Sequence, residues 1–412
     1  MFSDSGNRSV ALGSPSPARC LTSVNERSVH AGYASRMNSE HVTARLPCAA
    51  SIRAGRDWIA EAIANLDEEQ DGCAETPMLE LRLSGFPHIG FLLKDESAHP
   101  TGSLKHRLAR SLFLYALCSG RLRQGQTVID ASSGSTAISE AWFARKLGLP
   151  FIAVMPRSTS LAKQVEITDL GGHCALVEDG EDMTQHARDM VVRQNACYLD
   201  QFNLAGSATD WRGNNNIAQS LLAQCRRLAA GDPDWIVCGA GTGGTSATLG
   251  RYLRYVGSHA MLCVAEPAGA AFAQGWHHAD RSRLATRKTC IEGIGRSRVE
   301  PCFAFELAES VLEIDDEESI AGAWLLERWL GRRFGGSSGT NLAAALRLAS
   351  AMRETGQSGN IVLLLCDKGE RYADTLFAPD WLAQRGYAPE ARLAALAGIA
   401  GDALVPDNPA CL

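Results

Sequence analysis

Lys105 and three short runs rich in glycine and serine are the residues of this 412-residue chain best suited to chemistry. Lys105 stands in "HPTGSLKHRLAR", two residues past Ser103, at the first turn of a predicted helix that follows a predicted strand. The positive end of a helix, with Arg107 and Arg110 nearby, disfavours an ammonium and depresses its pKa. An amine so freed can form a Schiff base with a carbonyl compound. The alternative is a solvated helix lysine, the usual fate of the residue. Lysines are few: six (94, 105, 146, 163, 288 and 368) stand against 34 arginines.

Each of the three runs closes a predicted strand and opens a predicted helix, where backbone N–H groups point outward and favour an anion. In "GAGTGGTSA" (239–247), Gly241, Gly243 and Gly244 permit close approach of a ligand, and Thr242 and Thr245 add hydroxyls. This suits a phosphate monoester; a tight structural turn is the alternative. The run lacks the GK[ST] of nucleotide hydrolases and the full dinucleotide fingerprint. In "DASSGSTAIS" (130–139), Ser132, Ser133, Gly134, Ser135 and Thr136 gather small donors that could surround a carboxylate. An ordinary helix cap needs only one such hydroxyl. The third run, "FGGSSGTNLAAAL" (334–346), reads equally as turn or site.

The elements that must position these runs alternate strand and helix from residue 55 to about 375. Predicted strands are 88–96, 126–132, 150–156, 173–178, 234–238, 261–267 and 360–372. Between them fall helices at 103–120, 136–148, 161–172 and 183–195, and another after the glycine loop at 239–247. On the first helix Leu108, Leu112 and Tyr115 share a face and Gly120 ends it. Such alternation implies parallel sheet wrapped by helices. Residues 376–412, rich in Ala and Leu, read as a loose helical appendage.

Composition narrows the function classes. A net charge of −6 argues against a nucleic-acid surface. No apolar stretch reaches the length of a membrane span. The 13 cysteines contain no CxxC pair, so neither a zinc knuckle nor a dithiol redox site is signalled and no metal is expected. Buried, reduced thiols of a cytoplasmic protein are the expectation. Residues 1–36 carry eight serines and four arginines without an apolar period. They resemble an organelle transit segment weakly, and read better as a disordered tail or as a chain properly begun at Met37, so their removal is expected to be harmless.

Taken together, "PTGSLKHR", "SSGSTA", "GTGGT" and "GGSSGT", in this order, resemble the cysteine synthase/cystathionine β-synthase family of pyridoxal-phosphate enzymes over residues 75–375. "KDESAHPTGSLKHRLARSLFLYAL", "DWRGNNNIAQS" and "EGIGRSRVEP" further resemble the L-cysteine desulfhydrases of the mycobacterial type. The resemblance implies an α/β fold of type II, like the tryptophan synthase β-chain, with two doubly wound domains and the cofactor between them. It implies a tail at 1–54, a larger domain from 55–110 and 206–375, a smaller mobile domain at 111–205 and the appendage at 376–412.

It also implies roles. Lys105 holds the pyridoxal phosphate, and Gly241, Thr242, Gly243, Gly244 and Thr245 cradle its phosphate. Ser337 faces the pyridine nitrogen. Ser132, Ser133, Gly134, Thr136 and Gln201 bind a small amino-acid substrate, and Gly293 and Gly295 line the mouth. Gly243→Asp is then expected to weaken cofactor binding far more than folding. A homodimer is implied. The chain departs from the family in Ser135, which stands where an asparagine flanks the phenolic oxygen, and in His99, His106 and Lys368. Around the cofactor, Ser135, His106 and Lys368 would tune the reaction toward β-elimination of L-cysteine to hydrogen sulfide, pyruvate and ammonia. The rival readings are β-replacement by a cysteine or cystathionine synthase, dehydration of serine or threonine, and a non-catalytic cofactor-binding regulator.

Overall fold

The computed structural model describes residues 49–228 and 231–405. The readings of residues 1–36 and Met37 lie outside them. In chain order the elements are α1 (Ala49–Gly72), β1 (Met78–Leu83), β2 (Ile89–Asp95), α2 (Lys105–Cys118), β3 (Val128–Ala131), α3 (Ser135–Lys146), β4 (Phe151–Pro156), α4 (Leu161–Asp169), β5 (His173–Val177), α5 (Met183–Gln194), β6 (Cys197–Tyr198), α6 (Gln201–Ala208), α7 (Ile217–Arg227) and β7 (Trp235–Gly239). They continue with α8 (Gly244–Tyr255), β8 (Met261–Pro267), α9 (Ala271–His278), β9 (Ser310–Ile314), α10 (Asp316–Leu330), α11 (Gly336–Glu354), β10 (Gly359–Leu365), α12 (Pro379–Arg385), α13 (Glu390–Ala400) and β11 (Ala403–Leu404).

The strands form two sheets, one of seven in the order β11-β1-β2-β10-β7-β8-β9 and one of four in the order β5-β4-β3-β6. The smaller sheet is wholly parallel. In the larger, only β1 runs antiparallel to its neighbours β2 and β11. A parallel strand covered on both faces needs a continuous apolar run. In β10, Ile361, Leu363 and Leu365 pack into one core with α10 and α11, and Val362 and Leu364 into the opposite core with α7 and α8. The carboxyl ends of β2, β10 and β7 lie side by side. The lysine run, the "CDKGERY" run and the glycine run all leave from that edge, where ligand sites collect in parallel sheets.

Three expectations are modified. Helix α1 begins at Ala49, inside the span expected as tail. On α2 the buried face is His106, Ala109, Leu112, Phe113, Ala116 and Leu117, and Leu108 and Tyr115 are only half-buried. The appendage is more than helical: its end, β11, pairs with Arg82 and Leu83 of β1 and covers the sheet edge, and Leu396 and Ala400 of α13 enter the core.

Glu266, at the end of β8, is fully buried. It accepts the Ala273 N–H, and burial pushes its carboxyl up to about 8. The folded chain therefore keeps it protonated where the unfolded chain ionises it. Its contribution to stability is complete below the ordinary carboxyl range and is lost as pH rises toward 8. Glu266→Gln is uncharged at every pH. Relative to the parent it should gain a few kcal/mol by about pH 8, roughly 1.4 per pH unit above the ordinary carboxyl pKa, and nothing near pH 4. Denaturant unfolding across pH checks this; parallel stability curves would refute it.

Candidate active site

Lys105 is the first residue of α2, and its N–H is capped by Ser103 Oγ at 3.0 Å. The preceding turn is stitched to the end of β10: Leu104 N–H donates to the Cys366 carbonyl at 2.9 Å, and Ser103 bridges Asp367. The turn that presents the lysine is thereby fixed at the sheet edge. Burial lowers the Lys105 pKa, and Cys366, Asp367 and Cys238 nearby oppose that shift only in part. The buried thiol of Cys366 is itself pushed up to about 12.

A cavity of about 270 Å³ opens in front of Lys105. Ser132, Ser133, Gly134, Ser135, Thr136, Gln201, Gly241, Thr242, Gly293, Gly295 and Ser337 all line it. Thus three runs separated by about two hundred residues of chain meet at one lysine. Of the other predicted residues, Gly244 and Thr245 line a larger neighbouring cavity that Thr242 also borders. Gly243 lines neither and packs on Phe303.

No side chain of the capping residues Gly134, Gly243 and Gly335 closes the first turns of α3, α8 and α11. Around α3, Ser132 Oγ accepts the Ala137 N–H at 3.2 Å, so this hydroxyl has a structural task as well. Gln201 spends one amide N–H on the Ala131 carbonyl at 2.9 Å. Its position is set by Asp130, which is fully buried and accepts the N–H groups of Ala131, Asp200 and Gln201. Burial raises Asp130 to about 6, and burial with the Asp130 charge beside it raises Glu140 well above the usual range.

Gly241 and Gly243 are required by close approach. A β-carbon at 241 would lie 2.1 Å from the Gly293 carbonyl oxygen. Gly243 has φ +86°, and a β-carbon there would lie 2.6 Å from the Phe303 backbone. This corrects the expectation for Gly243→Asp. Any side chain there strains the fold before it meets a phosphate, so the variant does not isolate cofactor binding. Thr242 is the better probe: it is buried, and its Oγ1 accepts the Gly244 N–H at 3.3 Å. Thr242→Val should weaken retention of the cofactor about tenfold, the worth of one hydrogen bond to a charged group, and cost about 1 kcal/mol of stability because the Gly244 N–H loses its acceptor. Cofactor titration followed by absorbance decides it, and undiminished affinity would refute it.

Two of the three residues expected to tune the cofactor lie elsewhere. His106 follows Lys105 on a helix, and one residue turns a side chain by about 100°. Its ring points away, to Glu69 at 2.8 Å and Thr101 at 3.2 Å. Lys368 is exposed, because extended chain after β10 alternates sides: Asp367 faces in and Lys368 out. Ser135 does line the cavity. It donates to Asp367 Oδ2 and accepts from Arg371 Nη1, each at 3.2 Å.

The sequence reading missed that polar group. Tyr372 donates to Asp367 Oδ2 at 2.7 Å, and Arg371 donates to the Thr101 carbonyl at 2.7 Å and pairs with Glu166. Lys163, fully buried, pairs with Glu292 at the cavity mouth and lies over the Tyr372 ring. Burial raises the Asp367 carboxyl and, with Asp367 beside it, the Tyr372 hydroxyl. The signal available was a charged run directly after an apolar strand, at the edge where sites gather.

This arrangement fits pyridoxal phosphate: a lysine amine with lowered pKa, the start of α8 for a phosphate, the start of α3 for a carboxylate, and glycines that admit close contact. Comparison with known proteins agrees. The chain is 46% identical over 353 residues to L-cysteine desulfhydrase Cds1 of Mycobacterium tuberculosis, covering 85% of this chain and 96% of that protein. It is 31% identical over 325 residues to cysteine synthase 1 of Neurospora crassa, covering 75% and 83%. The fold superposes on O-ureido-L-serine synthase with a TM-score of 0.67 at 26% identity, covering 77% of this chain and 98% of that one. It superposes on a hydrogen sulfide-producing enzyme with a TM-score of 0.67 at 25% identity, covering 76% and 91%. The family described as pyridoxal-phosphate dependent enzyme matches residues 70–367, a span that holds Lys105 and the runs at 130–139, 239–247 and 334–346, and the chain belongs to that family.

Proposed function

We propose that this protein is an L-cysteine desulfhydrase, converting L-cysteine and water to hydrogen sulfide, pyruvate and ammonia. The observation that carries the reading is the meeting of Lys105 with the Ser132–Thr136 loop and with Gly241 and Thr242 of the glycine loop, in a chain 46% identical to a protein of that name. Lys105 Nζ would hold the pyridoxal phosphate, residues 241–245 its phosphate and Ser337 Oγ its ring nitrogen. When bound, the cofactor supplies an electron sink for a carbanion at the substrate's α-carbon.

The chain's own residues do the rest. Backbone and hydroxyl donors of Ser132, Ser133, Gly134 and Thr136, with Gln201, orient the substrate carboxylate. Lys105 Nζ accepts the α-proton, and its lowered pKa keeps an uncharged amine available. Ser337 offers a hydroxyl rather than a carboxylate, so it does not protonate the ring nitrogen, and loss of the β-sulfur is favoured over amino transfer. Gly293 and the Lys163–Glu292 pair border the mouth.

The segment 111–205, which carries the four-stranded sheet, would move as the smaller domain against 55–110 and 206–375. A homodimer in the cytoplasm completes the reading. Light scattering tests the first part and subcellular fractionation the second.

Product analysis tests the function. L-cysteine alone should give sulfide, pyruvate and ammonia in near-equal amounts, faster than O-acetylserine plus sulfide gives cysteine or serine plus homocysteine gives cystathionine. If cysteine formation outruns pyruvate formation about tenfold, roughly 1.4 kcal/mol in barrier, the protein is a synthase.

A further inference from the structure

His106 and His99 depart from the family pattern, and the active site does not use them. They belong instead to the wall of the neighbouring cavity, about 550 Å³ in volume, on the far side of α2. There His106 meets Glu69, in the last turn of α1, and Cys73, the residue just past its end, whose N–H donates to the Glu69 carbonyl at 3.1 Å. Glu69 Oε1 is the shared point: it lies 2.8 Å from His106 Nε2 and 3.1 Å from Cys73 Sγ. The three donor atoms all fall within 4.8 Å of one another. Glu69 and His106 are buried, Cys73 is half-buried, and all three border the cavity.

We propose that Glu69, Cys73 and His106 bind a zinc ion, with a fourth position open to the cavity and filled by water. One thiolate, one imidazole and one carboxylate form a donor set suited to Zn²⁺ and poor for Mg²⁺ or Ca²⁺. Zinc bonds of about 2.0–2.3 Å put tetrahedral donors about 3.3–3.6 Å apart. The two measured edges must therefore widen by about half an ångström, a side-chain adjustment.

The protons balance. A Glu69 carboxylate can only accept, so His106 Nε2 carries the proton and donates to it, which leaves Nδ1 to accept from Thr101 Oγ1 at 3.2 Å. On binding, the imidazole shifts its proton to Nδ1 and donates to Thr101 Oγ1. Thr101 then turns its hydroxyl to Ser139 Oγ, 2.9 Å away. A metal-ligating histidine held by such an outer partner is the usual arrangement. The Cys73 thiol gives up one proton to solvent, so the net exchange is one Zn²⁺ taken up and one proton released. Sequence carries no mark of the site, because a Glu–Cys pair four residues apart is no metal motif by itself and His106 lies 37 residues from Glu69.

The test uses untagged holoenzyme dialysed against buffered micromolar zinc, then cobalt as a spectroscopic probe. One zinc per chain is expected, with a thiolate-to-cobalt charge-transfer band in the near ultraviolet. Cys73→Ser and His106→Gln should each weaken binding at least tenfold, and Cys73→Ser should abolish the band. Cys118→Ser removes an exposed thiol of the same cavity and should change neither. Melting curves and cofactor absorbance identify a variant that fails to fold, in which case Glu69→Gln and the remaining variant decide. Absence of the cobalt band in the parent, or undiminished binding in the folded variants, overturns the proposal.

Discussion

Replacing Lys105 with alanine should abolish covalent attachment of the cofactor and reduce sulfide release from L-cysteine at least about a thousandfold, within the range lost with a general base. Lys105 is the only lysine lining the cavity among the described residues. Burial lowers its pKa, and Ser103 and the Cys366 carbonyl fix the turn that presents it. The other lysines are differently engaged. Lys94 is buried against the Thr76 carbonyl, Ser220 and Gln224, Lys163 is paired with Glu292, and Lys368 is exposed. Borohydride reduction of the holoenzyme followed by peptide mapping should label Lys105 alone. A label on Lys94 or Lys163 would overturn the assignment. The variant should keep its melting temperature within a few degrees, because the lysine head makes no structural pair that its loss would strand.

What could be read from the sequence and what could not divide along a physical line. The Ser132–Thr136 and Gly241–Thr245 loops were legible because each is contiguous and sits where a strand hands over to a helix, so glycine and hydroxyl residues announce it locally. The run holding Ser337 follows helix α10 rather than the expected strand, and only its small residues ahead of α11 announced it. Gln201 and Gly293 came from resemblance, and the structure puts both at the cavity. Convergence of side chains from distant segments leaves no such mark. Asp367, Tyr372, Arg371 and Glu166 come together only where the segment after β10 meets the start of α3 and the middle of α4, and Glu69 meets His106 only through α1 lying on α2. His106 shows the hazard of arguing from chain proximity: next to Lys105 in sequence, it points to the opposite side of the helix. Helix α1 was legible and overlooked, since Trp58, Ile59, Ala62, Ile63 and Leu66 repeat at three- and four-residue steps and pack into the core with α2 and α3. Strand β11 was not, being two residues long.

Arg371 is where the largest effect outside the lysine is expected. Its guanidinium joins four segments: it pairs with Glu166 on α4, donates to the Thr101 carbonyl before Lys105, donates to Ser135 at the start of α3, and lies near Asp367 after β10. The arginine side chain is only 8% exposed, whereas Glu166 is 38% exposed. Removing the arginine therefore strands buried partners, chiefly the Thr101 carbonyl and the Asp367 carboxyl, whose Oδ1 already lacks a hydrogen-bond partner. Arg371→Met keeps the volume and loses the charge. It should cost about 3 kcal/mol of stability, as loss of one member of a buried ion pair does, and lower kcat/KM for L-cysteine about 100-fold by loosening Ser135 and the lysine turn together. Glu166→Gln leaves an exposed amide that still accepts a hydrogen bond, so its effect should stay within about threefold, as for a partly solvated pair. Denaturant unfolding and steady-state kinetics on both variants separate the roles. If Glu166→Gln proves as damaging as Arg371→Met, the pair itself matters rather than the buried contacts of the arginine. If Arg371→Met retains full activity, this polar group does not position the site.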